Sequence, residues 1–230
     1  MNDDEIPLRG GRVTQGVVRK GAYVYRPCCE NADFTHRVLQ WLEQKDPLIA
    51  PHFLGLDNDG REITTFLEGK SPDNLGEFSA VQLQTAGIVI RRLHDLLADF
   101  PNCKKGQTVC HNDLSPCNFM FKDDMPYAVF DWDSANIGNP KNDLAYAIWM
   151  WCDIGNEEQS ADKAIGKIKH IVIGYGIDHF DLANKIVEEM DRVYCSVIGT
   201  DMEKNTQQWI AKCKAWVVSN SDALCKLRFK

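Results

Sequence analysis

No apolar run in this 230-residue chain approaches the roughly 20 residues that a bilayer-crossing helix needs, and no block of Lys or Arg offsets a formal net charge of −7. The first absence argues against a helical membrane protein. The second argues against a nucleic-acid or anionic-membrane surface, while leaving room for a local basic pocket that holds phosphates. The nine cysteines are odd in number and contain no Cys-x-x-Cys spacing, so neither a disulfide framework nor a paired-thiol metal site is indicated. No charged-then-apolar leader opens the chain. Together these features set the expectation of reduced thiols in a cytoplasmic protein. No second histidine lies near His111, which removes the motive for a His/Asp metal-dependent hydrolase. What is present is ample apolar material: 44% of the residues are hydrophobic, enough to bury a substantial core in one domain or one two-lobed unit.

The informative stretch is Val109-Cys110-His111-Asn112-Asp113-Leu114-Ser115-Pro116-Cys117-Asn118, followed by Tyr127-Ala128-Val129-Phe130-Asp131-Trp132-Asp133. One apolar, strand-like run delivers His111, Asp113 and Asn118 into a loop, and after a short hairpin a second run delivers Asp131. Taken singly, His111 and Asp113 could cap a tight loop and Asp131 could end a strand. The ordered set is harder to explain that way. Its His-x-Asp-x-x-x-x-Asn spacing is similar to that of the kinase catalytic loop.

The wording around these residues sharpens the resemblance. His-Asn-Asp-Leu-Ser-Pro-Cys-Asn and Phe-Asp-Trp-Asp-Ser-Ala-Asn-Ile-Gly-Asn-Pro-Lys-Asn-Asp-Leu-Ala resemble the two signature segments of the aminoglycoside phosphotransferase and choline kinase superfamily of small-molecule kinases. The match is specific over residues 109 to 147, fair over 8 to 70, and only helical in character beyond 155. The resemblance implies an α+β, protein-kinase-like two-lobed fold: a small antiparallel N-terminal sheet with one helix (residues 1–69), then a mainly helical lobe (residues 70–230). It implies that Asp113 orients and deprotonates an acceptor hydroxyl, and that Asn118 and Asp131 hold Mg2+ against the phosphates of ATP or GTP. Acidic ligands in such a site need divalent cations, because a phosphoryl group in flight would otherwise meet only negative charge. It implies also that Asp143 braces the catalytic loop through backbone bonds.

In chain order, Leu8 to Pro27 alternates glycines with short β-branched and aromatic runs, as consecutive hairpins do. Gly10, Gly11 and Gly16 do not spell Gly-x-Gly-x-x-Gly, but with the downstream motif the segment is expected to form a phosphate-covering flap. Arg26 stands where kinases of this fold place a phosphate-binding Lys; arginine keeps the charge and changes the geometry to a planar fork. The partner Glu expected on the next helix (Asn31 to Gln44, with Val38, Leu39 and Leu42 inward) is missing: Thr35 and His36 occupy its neighbourhood. That puts the ion pair in doubt and motivates a second reading, a catalytically weak nucleotide-binding relative acting as sensor or interaction module. Ala50 to Leu56 and Glu62 to Leu67 read as strands joined by the turn Asp57-Asn58-Asp59-Gly60. Phe66 to Gly69 would then be the hinge, and the resemblance implies that the Thr65 carbonyl and the Leu67 amide hold the adenine ring.

Beyond the hinge, Ser79 to Phe100 is a core helix capped by Ser79, with Val81, Leu83, Ile88, Val89, Leu93, Leu96 and Leu97 at helical spacing. His94 on it is expected to be a buried structural histidine. Asp143 is expected to cap the following helix. Trp132, Trp149 and Trp151 could form an aromatic cage for an ammonium group, but core packing is the better expectation for at least two of them. Three more helices are predicted, about Ser160 to Gly174, Phe180 to Ile198 and Asn205 to Leu227. Asp153, Glu157, Glu158, Glu188, Glu189 and Asp191 default to solvated faces, from which one cluster would line an acceptor pocket. The favoured function is an ATP- and Mg2+-dependent phosphotransferase acting on a hydroxyl of a small aminoglycoside-, amino alcohol- or sugar-like molecule. Neither nucleic acid nor membrane is among the expected partners.

Overall fold

A five-stranded antiparallel sheet, in the order β1-β2-β3-β5-β4, occupies the N-terminal part of the chain. The structure, a computed structural model, describes residues 5–8, 16–73, 75 and 77–227. The strands are β1 (Ile6–Pro7), β2 (Val18–Lys20), β3 (Tyr23–Arg26), β4 (Phe53–Leu56) and β5 (Glu62–Thr65), with helix α1 (Ala32–Lys45) between β3 and β4. Of the expected flap, the β2–β3 hairpin is present, whereas Gly10, Gly11 and the rest of residues 9–15 lie outside the described residues. The β4–β5 hairpin turns where the Asp-Asn-Asp-Gly sequence predicted. Asp57 Oδ1 accepts from the amides of Asp59 and Arg61, an Asx-type closure. α1 buries Thr35, Val38, Leu39 and Leu42, the apolar residues falling on one stripe as predicted.

The second part is mainly helical. It comprises α2 (Ala80–Leu97), β6 (Thr108–Cys110), β7 (Phe119–Lys122), β8 (Met125–Val129), β9 (Asn136–Gly138), α3 (Pro140–Trp151), α4 (Ala161–Tyr175), α5 (Leu182–Val197), α6 (Glu203–Ser219) and α7 (Ser221–Lys226). Ser79 caps α2 in a full capping box with Gln82, satisfying two otherwise orphan groups reciprocally. The buried face of α2 runs through Leu83, Ala86, Gly87, Ile90, Leu93, His94 and Leu97. Val81 and Ile88 were expected on that face but are exposed; seven residues apart, they share an outer stripe rotated away from the core. α2 and α4 pack so closely that a Cβ on Gly174 would run into the Gln84 carbonyl oxygen, so only glycine fits there.

α3 is buried along its whole length from Asp143 to Trp151, the signature of a central core helix. Its cap is Asn139, whose side chain accepts from the Lys141 amide, with Pro140 in the first turn. The expectation that Asp143 would cap this helix is therefore corrected. Asp143 sits in the first turn, and its side chain is free to reach elsewhere. The predicted helix Asn205 to Leu227 is two helices, broken at Asn220 (φ −114°, ψ 10°). Trp132, Trp149 and Trp151 are all buried, and Trp151 Nε1 donates to the Leu114 carbonyl at 3.1 Å. They are core, not a cage.

Candidate active site

The antiparallel pair β6–β9 ends at Cys110, where the chain enters the loop carrying His111 and Asp113. The β7–β8 hairpin then brings it back, so that residues 130 to 133 emerge beside that loop. Phe130 fastens the two segments: its amide donates to the Asn118 carbonyl at 3.0 Å, and its carbonyl accepts from His111 Nε2 at 3.0 Å. A carbonyl can only accept, so His111 carries its proton on Nε2, and Nδ1 faces the Asp113 amide at 3.3 Å. Buried against the edge of Trp132, His111 works as a staple between loops. Asn112 (φ 63°) and Asp131 (φ 65°) both adopt the left-handed conformation, which short polar side chains tolerate better than other L residues.

Asp143 holds the loop of His111 and Asn112 from beneath. Its Oδ2 accepts from the His111 amide at 2.8 Å and from His94 Nε2 at 3.1 Å, and its Oδ1 accepts from the Asn112 amide at 2.9 Å. Burial pushes this carboxyl up, but the His94 hydrogen bond, the His94 and His111 rings and the His111 amide outweigh it and hold the pKa below the usual range. His94 also meets the Tyr175 hydroxyl through Nδ1 at 2.8 Å; it is the buried structural histidine that was expected.

Asp113 presents a carboxylate fixed from two sides. Asn118 Nδ2 donates to its Oδ2 at 2.8 Å and to its backbone carbonyl at 2.9 Å, and the Tyr146 hydroxyl donates to its Oδ1 at 2.6 Å. Burial, with the Asp113 charge next, pushes the Tyr146 phenol well above its ordinary pKa, so it stays a donor. Arg192 on α5 lies over the Tyr146 ring at 5.4 Å, donates to the Asn112 carbonyl at 2.7 Å and pairs with Glu189 at 2.6 Å. Glu189 is accordingly buried, against the expectation of a solvated residue: a carboxylate tolerates burial when paired.

Arg26 supplies the principal correction. The carboxylate missing from α1 comes from β5, where Glu62 is the cross-strand partner of Arg26 and lies with Oε1 3.1 Å from Arg26 Nε. His36 on α1 approaches the other Glu62 oxygen at 2.7 Å. The rest of the Arg26 fork reaches the opposite loop, Nη1 to Asp131 Oδ1 at 3.1 Å and Nη2 to Asp133 Oδ2. Burial opposes the Arg26 charge, but Asp133, Asp131 and Glu62 raise its pKa above the ordinary value. The guanidinium is therefore a fixed cation among three carboxylates. Glu62, Tyr146 and Asp133 all escaped the sequence reading as contacts of the site. Tyr146 could have been found: it is three residues after Asp143 on one helix, hence on the same face.

Along the segment that follows β5, Tyr127 donates to the Glu68 carbonyl at 2.8 Å, and Lys70 and Phe121 exchange backbone hydrogen bonds at 3.0 and 2.8 Å. Thr65 Oγ1 accepts from the His52 amide at 2.9 Å, and Leu67 is partly exposed. The structure thus brings Asp113, Asn118, Asp131 and Arg26 together, with Thr65 and Leu67 on the segment between the sheet and Lys70.

Residues 104–175 match the family model described as phosphotransferase enzyme family, a stretch that holds Asp113, Asn118, Asp131, Asp143 and Tyr146. The resemblance is to that family. A curated relative, the trifolitoxin immunity protein of Rhizobium leguminosarum bv. trifolii, is 28% identical over 77% of this chain and 76% of its own. Among solved structures, an amicoumacin kinase in complex with AMP-PNP and Ca2+ superposes with a TM-score of 0.70 at 11% identity, covering 100% of this chain and 91% of that one. An aminoglycoside phosphotransferase from Streptomyces rimosus, in complex with ADP and streptomycin, gives 0.63 at 12% identity over 93% and 94%. A choline/ethanolamine kinase family protein from Mesorhizobium loti gives 0.63 at 15% over 97% and 91%. The fold is therefore that of the protein-kinase-like small-molecule kinases, with the antiparallel N-terminal sheet and helical remainder that the signature segments implied.

Proposed function

We propose that this protein transfers the γ-phosphoryl group of ATP (or GTP), in the presence of Mg2+, to a hydroxyl of a small molecule of the aminoglycoside, amino alcohol or sugar kind. The observation that carries the reading is the pair of hydrogen bonds made by the Phe130 backbone, which locks the loop of Asp113 and Asn118 to the loop of Asp131. In this assignment the Asp113 carboxylate, aimed by Asn118 and Tyr146, orients the acceptor hydroxyl and takes its proton as the oxygen attacks phosphorus. Asn118 spends both amide-hydrogen contacts on Asp113, leaving Oδ1 as its ligand face. Together with the carboxylates of Asp131 and Asp133 this makes a hard, all-oxygen donor set of the kind Mg2+ takes. Arg26, which already bridges Asp131 and Asp133, supports the reading of these carboxylates as a cation site. Bound magnesium would supply charge neutralisation at the phosphates. Arg26, kept oriented by Glu62, would turn its fork toward the same phosphates. The Thr65 carbonyl and Leu67 amide would hold the base, and we place the division between nucleotide and acceptor lobes at residues 69 and 70.

The silent-relative alternative lost its motive when Glu62 filled the place of the missing helix Glu. The acidic balance of the chain favours a cationic acceptor, and nine cysteines outside any disulfide suit a reducing compartment such as the cytoplasm. The test follows ADP release with a panel of aminoglycosides, amino alcohols, sugars and nucleosides, beside a thermal-shift titration with MgATP. Asp113→Asn should keep the MgATP shift and lose roughly 10² to 10⁴ in transfer. Asp131→Ala should lose the magnesium-dependent part of the shift. Equal turnover by parent and Asp113→Asn would remove Asp113 from the mechanism, and an unchanged MgATP response in Asp131→Ala would remove the metal assignment.

A further inference from the structure

Beside Arg26 a second ligand set has formed, which shares Glu62 with the Arg26 ion pair and whose Cys28 and His36 have no part in the proposed transfer. Cys28, just past β3, His36 on α1 and Glu62 at the start of β5 each offer one donor atom, and the three atoms lie within 4.8 Å of one another. We infer that Cys28 Sγ, His36 Nε2 and Glu62 Oε2 form a binding site for a borderline divalent cation, with zinc as the type.

Three features separate this set from a chance meeting of polar groups. The first is orientation. The His36 ring is stacked on Phe53 with centroids 3.6 Å apart and planes 12° apart, so its Nε2 is aimed by packing. Glu62 is aimed from its other oxygen, since Oε1 faces Arg26 at 3.1 Å while Oε2 faces His36 at 2.7 Å. A ligand carboxylate whose second oxygen is already engaged is the arrangement that supports metal sites elsewhere. The second is the donor chemistry. Thiolate, imidazole and carboxylate together select zinc-like ions over magnesium, which prefers the all-oxygen set at Asn118, Asp131 and Asp133. The two sites would therefore sort cations by type. The third is access: Glu62 is 3% exposed, whereas Cys28 is exposed, so an ion arrives from solvent at the thiol and meets a buried carboxylate behind it.

Binding needs only small adjustments. Zn–N and Zn–O bonds of about 2.0–2.2 Å require His36 Nε2 and Glu62 Oε2 to part slightly from their present 2.7 Å. Cys28 Sγ, now donating to the Gly60 carbonyl at 3.5 Å, gives its proton to solvent and becomes the thiolate ligand. His36 carries its ring proton on Nδ1 in the bound form, which leaves Nε2 to coordinate as neutral imidazole. A water completes the tetrahedron. Arg26 keeps its place on Oε1, so the carboxylate bridges the guanidinium and the ion. The inference needs no nucleotide and stands or falls apart from the phosphotransferase reading.

The experiment titrates Co2+ into the full-length reduced protein under a non-thiol reductant and reads the near-ultraviolet sulfur-to-cobalt charge-transfer band, followed by displacement with Zn2+. One equivalent should give the band together with the intense visible bands of a tetrahedral ion. Cys28→Ser, a change at an exposed position, should abolish the charge-transfer band. His36→Ala should weaken Co2+ binding by at least about tenfold, as loss of one ligand does. Excess Mg2+ should leave the spectrum unchanged. Absence of the band in the parent would overturn the inference. So would a band of equal intensity and affinity in both variants, because the ion would then sit on other cysteines.

Discussion

Replacing Asp143 by Asn should test how the loop of His111, Asn112 and Asp113 is held, because it removes a charge while nearly preserving volume. The buried carboxylate accepts three hydrogen bonds, two from successive loop amides and one from His94. An asparagine has one acceptor oxygen, so its NH2 group must confront either the Asn112 amide or the pair formed by the His111 amide and His94. A hydrogen bond to a charged group is worth about 1.5–3 kcal/mol, and a buried donor left without a partner costs about 1–3 kcal/mol. Losing one such contact and weakening the others sums to roughly 3–5 kcal/mol, the range for breaking a buried charged pair. For a chain of this size that lowers Tm by on the order of 10 °C. Urea unfolding at neutral pH reads the free energy directly, and a loss under about 1 kcal/mol would refute the bracing role. The pH dependence gives a second check with a definite sign. The Asp143 pKa is lowered in the folded chain, so its contribution is fully present above the unfolded value of about 3.9 and is lost as pH falls through the lower folded value. The stability gap between parent and Asp143→Asn should therefore be constant near neutrality and close in acid; a gap that persists unchanged in strong acid would show that the lost stability is not electrostatic.

Arg26→Ala should weaken MgATP binding by tenfold or more on the order-of-magnitude scale of a lost charged clamp, and Arg26→Lys should recover only part because the fork is gone; isothermal titration with a non-hydrolysable nucleotide checks both, and unchanged affinity in Arg26→Ala would make the residue purely a bridge between loops. Tyr146→Phe should lower kcat about tenfold, the value of roughly 1.4 kcal/mol of lost orientation at Asp113, with KM for MgATP unchanged. A rise in that KM instead would place Tyr146 in general folding of the site.

Much of this candidate site was legible because its residues are close in sequence. His111, Asp113 and Asn118 lie within eight residues, and Asp131 follows after one hairpin, so short-range geometry alone brings them together. Ser79 was readable as a cap for the same reason, its Gln82 partner being three residues away. The residues that escaped are those joined by tertiary register. Glu62 faces Arg26 because β5 pairs with β3 across the intervening α1 and β4, and nothing in a helix-by-helix search for the missing acid points to a strand 36 residues on. The acid need not come from the same element as in the resembled kinases, because electrostatics asks only for a carboxylate near the guanidinium. Val81 and Ile88 show the complementary limit: helical spacing is satisfied by two stripes of α2, and only the packing of α4 at Gly174 decides which one is inward. Asp143 combines both lessons. Its position at a helix start suggested a cap, but Pro140 leaves the first turn with one fewer amide to satisfy and Asn139 takes the Lys141 amide. A carboxylate thus released from capping can only be retained in the interior by donors, and the loop amides at His111 and Asn112 are those donors.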